Sequence, residues 1–420
     1  MNRWWKLAAL GGCLTSTGCE QRGEPPALGL RSPAPALVLH GPVEHLVEHT
    51  AREPMLVESP NGTLYVTGYA APTPHLWRST DAGATWTTVT VGGTSEGAIG
   101  NSDVDLAVAP DGTLYFVVMS YDREKSEGER ISVGVSRDAG ETWSWTALSK
   151  TRGDDRPWVE VTKDGAAHVI WNDGRGVRYA VSRDSGRTWK EQPRIHTEGG
   201  SSHLAVGPGG EIAVRITPVS ASGNVEHKAA DLIAVSRDGG ANWVKHKAPG
   251  RRVWLFPFDD NDPLPRWVEP VAWDARDALY SLWTDTSGVW LARSTDFGDQ
   301  WTTWRIVAGG ESPYFPYLTA RSAGELAATW FSGRGADIHA HVARIDVPDG
   351  AAAPRVVEAQ PYLPDSWQWA EKPGTPRHRD TGGEYFPLAF LRDGRLAVVN
   401  AIQDDQRSRT GFSWRTVDAR

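Results

Sequence analysis

Five times along the chain the sequence returns to Ser-x-Asp-x-Gly-x-x-Trp: Ser79 to Trp86, Ser136 to Trp143, Ser182 to Trp189, Ser236 to Trp243 and Ser294 to Trp301. Successive matches begin 57, 46, 54 and 58 residues apart, about the length of one four-stranded propeller blade with its loops. The residue types fit a hairpin turn. Asp accepts hydrogen bonds from turn amides, Gly permits positive φ, and Trp opens the next strand with a ring large enough to pack across the turn. The repeat also accounts for an unusual composition, in which 21 Trp outnumber 10 Tyr and 9 Phe combined. Five close the turns; Trp171, Trp283 and Trp330 recur at the end of the unit's second strand.

Ahead of each turn lies a regular preamble of alternating apolar strands separated by turn residues, which reads as β structure. In the second unit it runs Asp105 to Val108, turn Pro110-Asp111-Gly112, Thr113 to Met119, then Ile131 to Val135. Two later stretches keep the preamble without the turn motif, one from Phe315 to Ile345 and one from Phe386 to Val417. The total is seven units. The last ends soon after its third strand, so its outer strand must come from elsewhere. Ala36 to His40 is the expected donor, a closure that removes exposed sheet edges. The 420 residues, long enough for two or three domains, therefore read as one all-β ring over residues 36–420, built from four-stranded antiparallel blades.

The repeated turn resembles the Asp-box (BNR) repeat of the sialidase-like β-propeller superfamily, and the resemblance spans about residues 36 to 418. Sialidases of that superfamily have six blades, the alternative count to seven. The resemblance implies a glycan-directed protein and, in sialidases, an Arg-Ile-Pro element, three arginines clamping a substrate carboxylate, an Asp acid/base and a Tyr/Glu nucleophile pair. Here Arg52-Glu53-Pro54 keeps the Arg and Pro. Glu269-Pro270-Val271 looks similar to the segment bearing the family's Glu, and Tyr385 is the matching late Tyr. The resemblance thus implies Glu269 and Tyr385 as catalytic residues, since a Glu that takes the phenolic proton activates a weak nucleophile. Arg334, in Gly333-Arg334-Gly335, is the candidate third clamp member. The first unit's second strand exits at Gly68-Tyr69-Ala70-Ala71-Pro72 without the expected Asp, and Trp283-Thr284-Asp285 lacks the second clamp Arg.

In a propeller, inner strands begin at the same face at which second strands end, so a site is built there and the repeated turns lie on the opposite face. Inner-strand starts supply Arg52, Glu53, Asp103, Asp155, Arg156, His203, Tyr317 and Glu384; second-strand exits supply Tyr69, Asp173, Arg175 and Asp285. Carboxylates, arginines and tyrosines converging on one mouth suit a polar ligand such as a sugar. The expected ligand is a glycan or an envelope protein, bound at the axial mouth by an exported, lipid-anchored monomer. Glycoside hydrolysis and a scaffolding role in envelope assembly are the alternatives.

Both cysteines, Cys13 and Cys19, lie in the opening MNRWWKLAALGGCLTSTGCE, which has a basic start, a short apolar middle and small residues before Cys19. That is the layout of an export signal over residues 1–19. Ser16-Thr17-Gly18-Cys19 resembles a bacterial lipobox, with Leu10-Gly11-Gly12-Cys13 as a competing match. Lipidation of Cys19 would anchor the chain to a membrane without embedding it. The Pro/Gly-rich residues 20–35 read as a tether.

The net charge of −8 gives no electrostatic footprint for nucleic acid, and no apolar run reaches spanning length. There is no Gly-rich phosphate loop before a helix. His339 with His341, and Asp103 with Asp105, share a strand face but lack a third ligand at recognisable spacing. No metal or other cofactor is expected.

Overall fold

The computed structural model describes residues 37–47, 51–69, 73–217, 231–250, 269–309, 313–333, 338–364, 383–404 and 409–418. They form seven four-stranded antiparallel sheets, and no α-helix occurs among them. The innermost strands, one per blade from blade 1 to blade 7, are Leu56–Glu58, Ser102–Val108, Asp154–Val161, Gly200–Val206, Val271–Trp273, Tyr314–Ala320 and Leu388–Phe390. Each touches the next around the ring, and that of blade 7 touches that of blade 1. Blade 3 shows the pattern: Asp154–Val161, Ala167–Asp173, Val177–Ser182 and Lys190–His196 pair in chain order from the axis outward.

Blade 7 combines both ends of the chain. Leu388–Phe390, Leu396–Asp404 and Arg409–Val417 are joined on the outside by Val43–Leu46, with Val43 opposite Trp414. The outer strand is therefore not the expected 36–40 segment. Leu39 bridges Val417 and Leu37 bridges Ala359 of blade 6, but Gly41-Pro42 interrupts the pairing because Pro has no N–H to donate.

The repeated turns join third to fourth strands, and their hydrogen bonds recur from blade to blade. In blade 1, Ser79 Oγ donates to Asp81 Oδ1 (2.7 Å) and accepts from the Gly83 amide (2.9 Å). Asp81 accepts from the Thr85 amide and hydroxyl (2.8 and 2.6 Å), and the Trp86 indole donates to the Gly83 carbonyl (3.2 Å). Ser182 and Asp184 do the same in blade 3, and Ser236 and Asp238 in blade 4 with Asn242 in place of Thr. Gly83 has φ +89, and a Cβ there would collide with the indole of Trp414 in blade 7. Glycine is thus required both by the turn and by the contact with the neighbouring blade.

The core lies between blades. Trp86 packs edge-on against Phe412 and Trp414 of blade 7 (5.1 and 5.2 Å between centroids), Trp189 against Tyr115 of blade 2 (6.2 Å) and Trp243 against Tyr179 of blade 3 (5.6 Å). Polar clasps follow the same route: the Tyr65 hydroxyl donates to the Ala139 carbonyl (3.1 Å), and Arg183 donates to that of Gly239 (3.0 Å). The turns are blade-to-blade joints.

Candidate functional site

Register places the site. Arg52 bridges Tyr69, Ser102 pairs with Met119, Asp154 with Asp173, Gly200 with Thr217 and Tyr314 with Phe331. In these five blades the chain entering the inner strand is thus level with the end of the second strand, on the face opposite the repeated turns. At four of these starts the register slips, between Ser102 and Val104, Asp155 and Trp158, Ser201 and His203, and Tyr314 and Tyr317. Such bulges re-aim side chains. Glu53, Arg156 and Phe315 each precede a Pro and have φ +46, +49 and +48. The residue before Pro is sterically barred from the helical region, and a non-Gly left-handed conformation is held only where its surroundings enforce it.

Below the mouth an apolar plug closes the axis. Trp158 meets Tyr385 (5.3 Å between centroids) and His203 (5.2 Å), His203 meets Tyr317 (5.4 Å), and the Tyr317 hydroxyl lies 3.9 Å from the Met55 sulfur. These residues come from blades 1, 3, 4, 6 and 7. Burial here lowers the His203 imidazole to about 4, so it stays neutral.

On this floor sits a charged cluster from blades 1, 2, 3 and 7. The Tyr69 hydroxyl donates to Glu53 Oε2 at 3.0 Å, and the Glu384 amide donates to Glu53 Oε1 at 3.3 Å. Arg156 Nη2 donates to Glu384 Oε2 at 2.7 Å, while its Nε lies 3.8 Å from Asp155 Oδ2. Arg52 places its guanidinium 5.9 Å from the Tyr69 ring centroid. Burial, reinforced by the charge of Asp103, pushes Glu53 up to about 8 against the pull of Arg52. The same two causes push Asp155 up to about 8 against the pull of Arg156. Burial also raises Glu384, with Arg156 opposing. Tyr69 and Tyr385 are both held well above their ordinary range, first by burial and then by the charges of Glu53 and Asp103 respectively. Asp155 keeps 23% of its side chain exposed, so it is a carboxylic acid, protonated near neutral pH, that a ligand can reach.

The structure thus brings Arg52, Asp155, Arg156, Glu384 and Tyr385 together, with His203 and Tyr317 in the floor. Other candidates have different partners. Glu269, 2% exposed, is ion-paired with Arg215 of blade 4, which also lies 3.7 Å from Asp231. Asp173 is bound by Arg178 (3.0 Å) and by both terminal nitrogens of Arg194 (2.5 Å each), which lower its pKa despite burial. Arg175 is exposed in the turn that Asp173 caps, and Asp285 caps its own turn by accepting from Ser287 and Trp290. Arg334, Cys13 and Cys19 lie outside the described residues.

The Tyr/Glu hydrogen bond sought at 385 and 269 occurs instead at Tyr69 and Glu53. Arg215 was passed over in the sequence, although a lone Arg inside Ile-Ala-Val-Arg-Ile-Thr signals a buried counter-charge. Glu160, pushed up to about 8 by burial and by Asp105, was missed likewise. Among the described residues no group of three metal-ligating side chains occurs; His341 is bonded to Ser332 (2.8 Å) and stacked on Trp330.

No family model matches the chain, and no curated protein matches it. Solved structures do. The Fusarium graminearum GH93 α-L-arabinofuranosidase, in complex with arabinobiose, is 13% identical with a TM-score of 0.51, over 90% of this chain and 98% of that one. A PL25 ulvan lyase bound to a glucuronate–sulphated rhamnose fragment is 12% identical with a TM-score of 0.52, over 88% and 95%. The Hadza microbial sialidase Hz136 is 16% identical with a TM-score of 0.44, over 66% of this chain; the chain spans 62% of that protein's length. At these identities the likeness is one of fold, that of a β-propeller, here with seven blades.

Proposed function

We propose that the protein binds a glycan at its axial mouth and hydrolyses a glycosidic bond there, with Asp155 as general acid. One observation carries this: Glu53, Asp103, Asp155 and Glu384 converge with Arg52 and Arg156 above an apolar floor, and Asp155 is both accessible and held protonated up to about pH 8. Asp155 would give its proton to the glycosidic oxygen as the bond to the anomeric carbon breaks. Water would add its oxygen to that carbon and release a proton to Asp103, whose charge also stabilises the developing cation. Glu53 and Tyr69, tied to each other, hold the wall. That structural neighbours include glycan-active propellers agrees with this reading.

The test is turnover of a fluorogenic glycoside panel by the full chain and by Asp155→Asn. Loss of about 10²-fold or more in the variant supports the assignment. Turnover unchanged in Asp155→Asn would remove Asp155 from the chemistry, and no turnover of any glycoside by wild type would reduce the function to binding. We further propose export and anchoring through Cys19, on the lipobox-like segment. Cys19→Ala should move the protein from the membrane to the soluble fraction; unchanged fractionation refutes anchoring at that residue.

A further inference from the structure

The geometry points to a ligand that carries no negative charge where it enters the mouth, and to Glu384 as the residue that sets this preference. The inference rests on the glycan reading above and narrows its substrate class.

Recognising an anionic sugar requires a guanidinium free to take a carboxylate through two parallel hydrogen bonds. At Arg156 that capacity is already engaged by the protein itself. Arg156 donates to Glu384 at 2.7 Å and lies beside Asp155. The backbone at Arg156, φ +49 ahead of Pro157, fixes the direction from which its side chain departs. Glu384 is held in turn, because its amide donates to Glu53. A carboxylate of this chain therefore sits where an anionic substrate group would go.

The surrounding charge acts in the same sense. Among the described residues four carboxyl groups face two guanidinium groups, and the like charge of Asp103 already raises Glu53, Asp155 and Glu384. Another anion would add its like charge to that of Asp103, beside acids that burial already keeps from ionising. Arg215, 1% exposed and paired with Glu269 near Asp231, is out of a ligand's reach. Uncharged sugar hydroxyls, in contrast, are donors that these carboxyl oxygens accept. Eliminative cleavage of uronates, which needs a carboxylate beside the C–H to be broken, does not fit such a mouth.

Saturation-transfer NMR on the full chain tests this with matched pairs of equal core: lactose against sialyllactose, and xylotriose against its glucuronate-bearing counterpart. Wild type should bind the neutral member of the engaged pair at least tenfold tighter. Glu384→Gln, which removes the internal carboxylate from Arg156, should shrink that ratio or reverse it, whereas Glu384→Asp should keep it; thermal melting of both variants checks that they fold. A wild-type preference for the anionic member, or an unchanged ratio in folded Glu384→Gln, overturns the inference while leaving glycan binding in place. Binding of neither member of either pair counts against the glycan reading and this inference together.

Discussion

Replacing Glu53 by Gln tests whether burial governs the chemistry of the mouth. Glu53 is 6% exposed, accepts from the Tyr69 hydroxyl at 3.0 Å and from the Glu384 amide at 3.3 Å. Folding raises its pKa from 4.5 to about 8. Below pH 4.5 the carboxyl is protonated in both folded and unfolded chains. Between 4.5 and about 8 the unfolded chain releases the proton first, so stability falls as pH rises; above about 8 the penalty is constant. A rise of about 3.5 at 1.36 kcal/mol per pH unit sets a ceiling of about 5 kcal/mol. Asp103 and Glu384 contribute part of that rise, which leaves ~2–4 kcal/mol to the burial of this one group. Gln has the shape of the protonated acid. Its carbonyl keeps the Tyr69 bond, and its amide group facing the Glu384 N–H costs about 1 kcal/mol. Urea unfolding should therefore find Glu53→Gln slightly less stable than wild type at pH 4.5 and more stable by ~1–3 kcal/mol at pH 8.5. Equal destabilisation at both pH values would refute the reasoning, because it would show a structural carboxylate and not a buried acid.

Three further predictions follow from named contacts. Glu269→Gln leaves Arg215 buried without its closest counter-charge and should cost about 3–5 kcal/mol by urea unfolding; a variant as stable as wild type but inactive would return Glu269 to a catalytic role. Ser182→Ala removes the acceptor of the Gly186 amide at 2.9 Å and the donor to Asp184 at 2.9 Å, 1% exposed. It should cost about 1–2 kcal/mol in the same measurement and leave sugar binding intact, since the turns lie on the face away from the mouth. The turnover rate should fall as pH rises through about 8, where Asp155 loses its proton. A rate still climbing at pH 9 would contradict its role as acid.

The ring was legible because its signal repeats: five turns at blade-length spacing each constrain their own hairpin, and the alternating preamble supplies the two blades that lack them. The outer strand of blade 7 was misplaced by a few residues because strand propensity in Ala36 to His40 says nothing of where Gly41-Pro42 interrupts pairing. At the mouth, the face of each residue followed from strand order, which places Arg52, Asp155, Arg156, Glu384 and Tyr385 on one face. Their partners were not. Glu384 reaches Arg156 across 228 residues and Glu53 across 331, contacts set by ring geometry and by left-handed backbone before Pro, which single-sequence patterns do not encode. Glu269 is implied by local resemblance, while its ion-pair partner, Arg215, is 54 positions away on another blade.

The most direct test of the account is a crystal structure of Asp155→Asn with an oligosaccharide that the wild-type protein cleaves. The account predicts the glycosidic oxygen within hydrogen-bond distance of residue 155, the sugar resting above Trp158 and Tyr385, and no anionic group against Arg156. A sugar bound at the blade edges or on the face of the repeated turns, with the mouth empty, would contradict it.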